Sequence, residues 1–184
     1  ASLGSQNERD RSVHPDAVAA MRGAGLFRIL LPKRVGGYEL DFPTMVDAVS
    51  TVAQADAACG WILLVLTAHD WMMGMFPAQC QDDIYRAGPD TLVSGGLASQ
   101  GTAHRIDGGW RVSGRWKFGS GIDHGHWSLL GAVQADSTPE DPKHVHIVVP
   151  ASDYRIDDTW FTLGLRGTGS KDVVMEDVFV PQHR

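Results

Sequence analysis

The apolar periodicity of the chain changes once, at Gly88-Pro89, and that change confines the fold to helices followed by a sheet. Before it, apolar residues recur at three- and four-residue spacing, as on a helix with one buried face. After it, short runs rich in Val, Ile, Trp and Phe alternate with Gly, Asp and Pro, as in strands joined by turns. This order predicts an α+β arrangement, with a helical domain over residues 1–89 and a β domain over residues 90–184.

Within the first part, a helix is expected over Asp16–Ala24, stopped by Gly25. A second should run over Pro43–Ala55, with Pro43 in the first turn, where its missing N–H costs nothing. Asp56 is placed to cap a third, Ala57 through Phe76. That stretch approaches the length of a bilayer span, but it carries His69 and Asp70 side by side and is read as a buried helix. A fourth, amphipathic helix (PAQCQDDIYRA) should follow Pro77. Strands are expected over Thr91–Ser94, Ala103–Ile106, Trp110–Ser113, Trp116–Phe118, His126–Gln134, Val145–Val149 and Val173–Val180. Asp107-Gly108-Gly109 marks a hairpin, and Ser137–Lys143 a polar loop.

Composition removes several functions. With 16 Lys+Arg against 22 Asp+Glu, the chain has no basic surplus with which to displace counterions from nucleic acid. Two Cys make neither a disulfide framework nor a four-thiolate zinc site, so a reducing, cytoplasmic setting is the default. Ala1–Pro15 lacks the apolar core of a secretory signal.

Candidate chemistry is then sought residue by residue. His124/His126 and His144/His146 are each two apart, and on a strand either pair shares a face. No third ligand stands at a completing spacing, and no metal site is expected. There is no Gly-x-Ser-x-Gly elbow. Cys59 reads as inert packing in an apolar helix, and Cys80, on the polar helix, as half-exposed. Gly164–Ser170 is glycine-rich but lacks the strand–loop–helix context of a phosphate cradle. What remains is the density of Trp, Phe, Gly and Ser over Gly108–Gly131 (GGWRVSGRWKFGSGIDHGHWSLLG). Flat rings beside small residues suit a planar aromatic ligand, and a serine hydroxyl can serve a ligand that changes protonation with redox state. The same residues also suit a hairpin core whose rings only fill volume.

Four stretches resemble the acyl-CoA dehydrogenase superfamily, in its branch of two-component flavin-dependent monooxygenases, the p-hydroxyphenylacetate hydroxylase-like oxygenases. They are Ala19–Trp61, His69–Tyr85, Asp107–Ala132 with its GRWKFGSG form, and Asp158–Arg184 with DTWFTLGLRGTGSKDVV. The resemblance implies an amino-terminal helical domain, a β-barrel-like middle domain and reduced flavin bound against the barrel, FMN rather than FAD. It places Ser120 at flavin N5, Phe118 beside the ring system and Trp160 near the flavin. Leu97-Ala98-Ser99 falls at the pyrimidine edge, and His69 lines the active site as a base toward the substrate.

The implied activity is that of the oxygenase component, fed with reduced flavin by a separate reductase. Dioxygen adds at flavin C4a, and the resulting hydroperoxide hydroxylates a small phenol-like substrate. The family's carboxy-terminal four-helix bundle is not within these residues. It is expected from the rest of a longer polypeptide or from a second one, with a homotetramer as the complete form. The chain departs from the dehydrogenases at Gly95–Ala103 (GGLASQGTA), which lacks the Glu-Pro and Ser-Asp of their TEPxxGSD-like motif. An acyl-CoA dehydrogenase-like dehydrogenase or oxidase, and a non-catalytic flavin-fold binding module, are the alternatives.

Overall fold

A computed structural model of the chain describes residues 3–184. Five α-helices come first: α1 (Gly4–Asp10), α2 (Pro15–Gly23), α3 (Phe42–Ala55), α4 (Ala57–Met73) and α5 (Ala78–Ile84). Six strands follow: β1 (Val93–Ile106), β2 (Gly109–Gly119), β3 (Trp127–Gln134), β4 (His144–Pro150), β5 (Arg155–Asp157) and β6 (Lys171–Pro181).

The helices start where side chains satisfy their first amides. Asp41 Oδ1 accepts from the amide of Thr44 at 2.9 Å to open α3, and Asp56 Oδ1 accepts from that of Cys59 at 3.0 Å to open α4. Helix α4 is the centre of the helical layer. Ile62, Leu63 and Leu66 are completely enclosed, packed with Val18, Met21, Phe27 and Leu92. Farther along, Met73 joins Cys80, Ile84 and Tyr85 against Val93, Leu129 and Val148, which seats the helices on the sheet.

The sheet runs in the order β4-β3-β1-β2-β6-β5, with β1 and β3 parallel and every other neighbour antiparallel. It curls around a core of its own, so that Ile147 and Val149 of β4 share one cluster with Trp116 of β2 and Met175 and Val180 of β6. This is the barrel-like form expected. Trp116 is the centre of that core. A Cβ on Gly101 would lie 2.1 Å from its ring, so the slot exists only because that neighbour is glycine. Among the described residues, no helix is long and apolar enough to cross a membrane.

Several elements differ from expectation. The short helix α1 was not foreseen, because Asn7 is its one buried residue and it has no apolar stripe. It is held by polar contacts instead, Asn7 Nδ2 donating to Asp56 Oδ2 at 2.9 Å. The expected strands Thr91–Ser94 and Ala103–Ile106 are parts of β1, whose pairing with β3 shifts register twice around Ser99 and so loses its alternation. Trp110–Ser113 and Trp116–Phe118 likewise merge in β2. Strand β5 is only Arg155-Ile156-Asp157 on the sheet edge, and one exposed Ile between two charges makes no apolar pattern. Cys80 is fully buried rather than half-exposed, because its face of α5 is the one turned to the sheet.

Candidate functional site

Ser120 stands where β2 leaves the ladder. Pairing with β6 breaks between Trp116 and Gly119, and Phe118 takes a left-handed backbone with φ 66°. The amide of Ser120 donates to Phe118 O at 2.8 Å, closing a three-residue turn. A non-glycine residue in this region costs on the order of 1 kcal/mol, and such strain persists only where neighbours enforce it. Here it turns the Phe118 ring outward, 64% exposed, while Ser120 stays buried.

The Ser120 hydroxyl has two partners. The indole N–H of Trp61, at the start of the second turn of α4, donates to Oγ at 2.9 Å, and Ser170 Oγ lies 2.8 Å away. On the main chain, Ser94 Oγ donates to Ser120 O at 2.8 Å. Helix α4, β1, β2 and the start of β6 therefore converge on this one residue.

Trp160 lies beside Phe118, its ring edge-on to that ring with centroids 6.1 Å apart. Its indole N–H donates to Leu165 O at 3.1 Å. The segment carrying it is anchored from the other end of the chain. Arg11 pairs with Asp158, donates to Trp160 O at 3.2 Å and covers the Phe161 ring at 4.0 Å. The Arg11 hydrogen bond holds the Asp158 carboxyl below its ordinary pKa.

Leu97-Ala98-Ser99 forms the bulge of β1 against β3. Its close approach requires Gly131 opposite, where a Cβ would sit 2.3 Å from Leu97 O. Leu97 is exposed, whereas the Ser99 hydroxyl lies 2.8 Å from His144 Nδ1 on β4. His144 is thus taken up with a hydroxyl, and no group of three metal-ligating side chains occurs among the described residues.

The structure does not bring His69 to Ser120. The ring is 4% exposed on α4, and its Nδ1 lies 3.1 Å from the Val93 carbonyl of β1. Burial lowers its pKa to about 4, partly opposed by the backbone at Val93 and Ser94. The ring is therefore neutral near pH 7, and with Nδ1–H donating to the carbonyl the lone pair is on Nε2. Asp70 does not partner it. Its carboxyl accepts from Tyr85 O–H at 2.7 Å, and burial raises its pKa well above the ordinary value.

Sequence reasoning missed Trp61, Thr168 and Ser170. Trp61 is 44% exposed in an otherwise apolar helix, off the face of Ile62 and Leu66, and that position was its only signal. Thr168 and Ser170 lie in the glycine-rich segment set aside as a failed phosphate loop, and nothing in sequence links them to Ser120.

Outward-facing rings at Phe118 and Phe161, the half-buried Trp160 and a fixed hydroxyl form a surface suited to a planar redox cofactor that needs stacking and one hydrogen-bond partner. The comparisons bear on that class. No family model matches the chain. It is 41% identical over 179 residues to the oxygenase component of an FADH(2)-dependent resorcinol hydroxylase of Rhizobium sp. (strain MTP-10005), covering 97% of this chain and 44% of that protein. It is 40% identical over 180 residues to the flavin-dependent monooxygenase oxygenase subunit HsaA of Rhodococcus jostii (strain RHA1), covering 97% of this chain and 47% of that protein. Among solved structures, 3-HSA hydroxylase from Rhodococcus sp. RHA1 superposes with a TM-score of 0.95 at 38% identity, covering 100% of this chain and 48% of that one. XiaF from Streptomyces sp., in complex with FADH2 and glycerol, does so with a TM-score of 0.90 at 33% identity, covering 98% and 46%. Over nearly all of its length the chain is similar to oxygenase components of flavin-dependent monooxygenases, and it spans a little under half the length of these relatives.

Proposed function

We propose that these residues carry the flavin-binding face of the oxygenase component of a two-component monooxygenase, which hydroxylates a small phenol-like substrate with reduced flavin and O2. The observation that carries this reading is the convergence of Trp61 and Ser170 on the Ser120 hydroxyl beside the outward-turned Phe118. When bound, reduced flavin supplies the oxygen-activating chemistry. Ser120 holds the proton at flavin N5, Phe118 and Trp160 pack against the ring system and keep water from it, and the backbone of Leu97-Ala98-Ser99 meets the pyrimidine edge. His69 is not carried over as the base toward the substrate that the resemblance implies, because its ring is enclosed against Val93 and burial lowers its pKa to about 4, where it retains a proton poorly.

The relative at 41% identity and XiaF are described with FADH2, and another solved structure of this fold, at 26% identity, is in complex with FMN, so both reduced flavins enter the test. A separate reductase supplies the reduced cofactor, as the word "component" in the relatives' names suggests. Phe161 at 71% exposure and the fully exposed Leu163 are apolar surface for a carboxy-terminal helical domain, or a neighbouring subunit of a homotetramer, to cover.

The test is anaerobic titration of the natural full-length polypeptide with FADH2 and FMNH2, then mixing with O2 and a panel of phenols. Tight binding of a reduced flavin and phenol-dependent oxygen uptake are expected. Failure to bind either flavin overturns the reading.

A further inference from the structure

We propose that Ser170 and Thr168 are positioning residues that fix the direction of the Ser120 hydroxyl, making it an acceptor only toward the flavin and so favouring the reduced form. The proposal rests on the placement of Ser120 at N5 given above.

The direction follows from proton counting. Thr168 Oγ1 lies 2.9 Å from Leu165 O, and a carbonyl can only accept, so the single Thr168 hydroxyl proton is directed there. The 2.8 Å contact between Thr168 Oγ1 and Ser170 Oγ must then use the proton of Ser170. With that proton spent, the 2.8 Å contact between Ser170 Oγ and Ser120 Oγ must use the proton of Ser120. At the opposite end, the Trp61 indole can only donate, and it does so to Ser120 Oγ. The chain therefore runs one way, from Trp61 N–H through Ser120, Ser170 and Thr168 to the Leu165 carbonyl. Ser120 has no proton left to give and one acceptor position free.

Nothing nearby relaxes this order. Ser120, Ser170 and Thr168 are 6%, 4% and 2% exposed, so bulk water does not replace a missing partner, and aligned hydroxyls polarise one another. Leu165 O also accepts from Trp160 Nε1 at 3.1 Å and from the amide of Thr168 at 3.1 Å. One carbonyl thus ends the hydroxyl chain and holds a ring of the proposed cofactor wall. Oxidised flavin presents a lone pair at N5 and requires a donor, whereas reduced flavin presents N5–H and requires an acceptor. An acceptor-only Ser120 discriminates between them.

The test uses the full-length protein and the ratio of its affinities for reduced and oxidised flavin, from anaerobic and aerobic titrations. Ser170→Ala frees the Ser120 proton to turn toward N5, and the ratio is expected to fall roughly 3- to 10-fold, the factor one hydrogen bond is worth. Thr168→Val removes the acceptor for Ser170 and moves the ratio the same way, while Thr168→Ser restores it. In a Ser120→Ala background, Ser170→Ala is expected to have no further effect on the ratio, because both residues act only through that hydroxyl. If Ser170→Ala does not fold, the Thr168→Val and Thr168→Ser pair carries the same comparison. The proposal is overturned if the variants bind reduced flavin with an unchanged ratio, or if Ser170→Ala lowers it equally without Ser120. Failure of the wild-type protein to bind any flavin overturns instead the functional reading beneath it.

Discussion

The indole N–H of Trp61 donates to Ser120 Oγ at 2.9 Å, joining the second turn of α4 to the end of β2 across 59 residues. Trp61→Phe keeps an aromatic ring and removes only this donor. The expected result is a severalfold rise in hydrogen peroxide released per flavin oxidised, with stability changed by no more than about 1.5 kcal/mol. Parallel peroxide and product assays, with a urea unfolding curve, check both halves.

Gly101 faces the ring of Trp116 at a distance that leaves no room for a methyl group. Gly101→Ala is expected to destabilise the protein by roughly 1–3 kcal/mol, the range for overpacking a core. Trp116→Ala, which empties the slot, is expected to cost about 3–5 kcal/mol. Urea titrations that found either variant as stable as wild type would contradict this packing.

His69 and Asp70 give stability opposite dependences on pH. The folded pKa of His69 is lowered to about 4, so its contribution is full above the unfolded value of 6.5 and is lost as pH falls toward 4, about 3 kcal/mol in all. The folded pKa of Asp70 is raised, so stability falls as pH rises above 3.8 and its buried carboxyl must either keep a proton or ionise. Asp70→Asn retains an oxygen for the Tyr85 hydroxyl and cannot ionise. Its melting temperature relative to wild type is expected to increase steadily from pH 4 to pH 8; a flat difference would argue against a raised pKa.

Asp56 has two partners, capping α4 through Cys59 N and receiving Asn7 Nδ2 from α1. Asp56→Ala is expected to cost about 1–2 kcal/mol. Because α1 leads directly into Arg11 and the Trp160 segment, hydrogen exchange is expected to quicken over 158–166 as well as at the start of α4.

The elements legible in sequence were those with a periodic apolar stripe or a capping residue. Helix α4 with its Asp56 cap and the turn at Asp107-Gly108 are examples, the latter a two-residue link between Ile106 and Gly109 of a hairpin. Helix α1 and strand β5 were not legible, because polar contacts hold the first and edge pairing the second. The candidate site divides the same way. Ser120, Phe118 and Trp160 were reached through resemblance in local motifs, and the structure sets them close together. Trp61, Thr168 and Ser170 belong to the same cluster through distant hydrogen bonds, for which sequence has no local pattern. His69 was reached through the same resemblance, and only the structure shows how completely the Val93 strand and its neighbours enclose it.

The hydroxyl chain has a kinetic consequence. Its members come from residue 61, residue 120 and residues 165–170, and the two links that join these segments span 59 and 50 residues, so each closes a large loop. During synthesis or refolding, the helical layer and the first hairpin can be in place while Ser120 still lacks its acceptor. The site appears only when the last strand docks. A ligand that requires this chain therefore selects the completed fold, and its binding is expected to slow unfolding of helices and sheet together rather than of either alone.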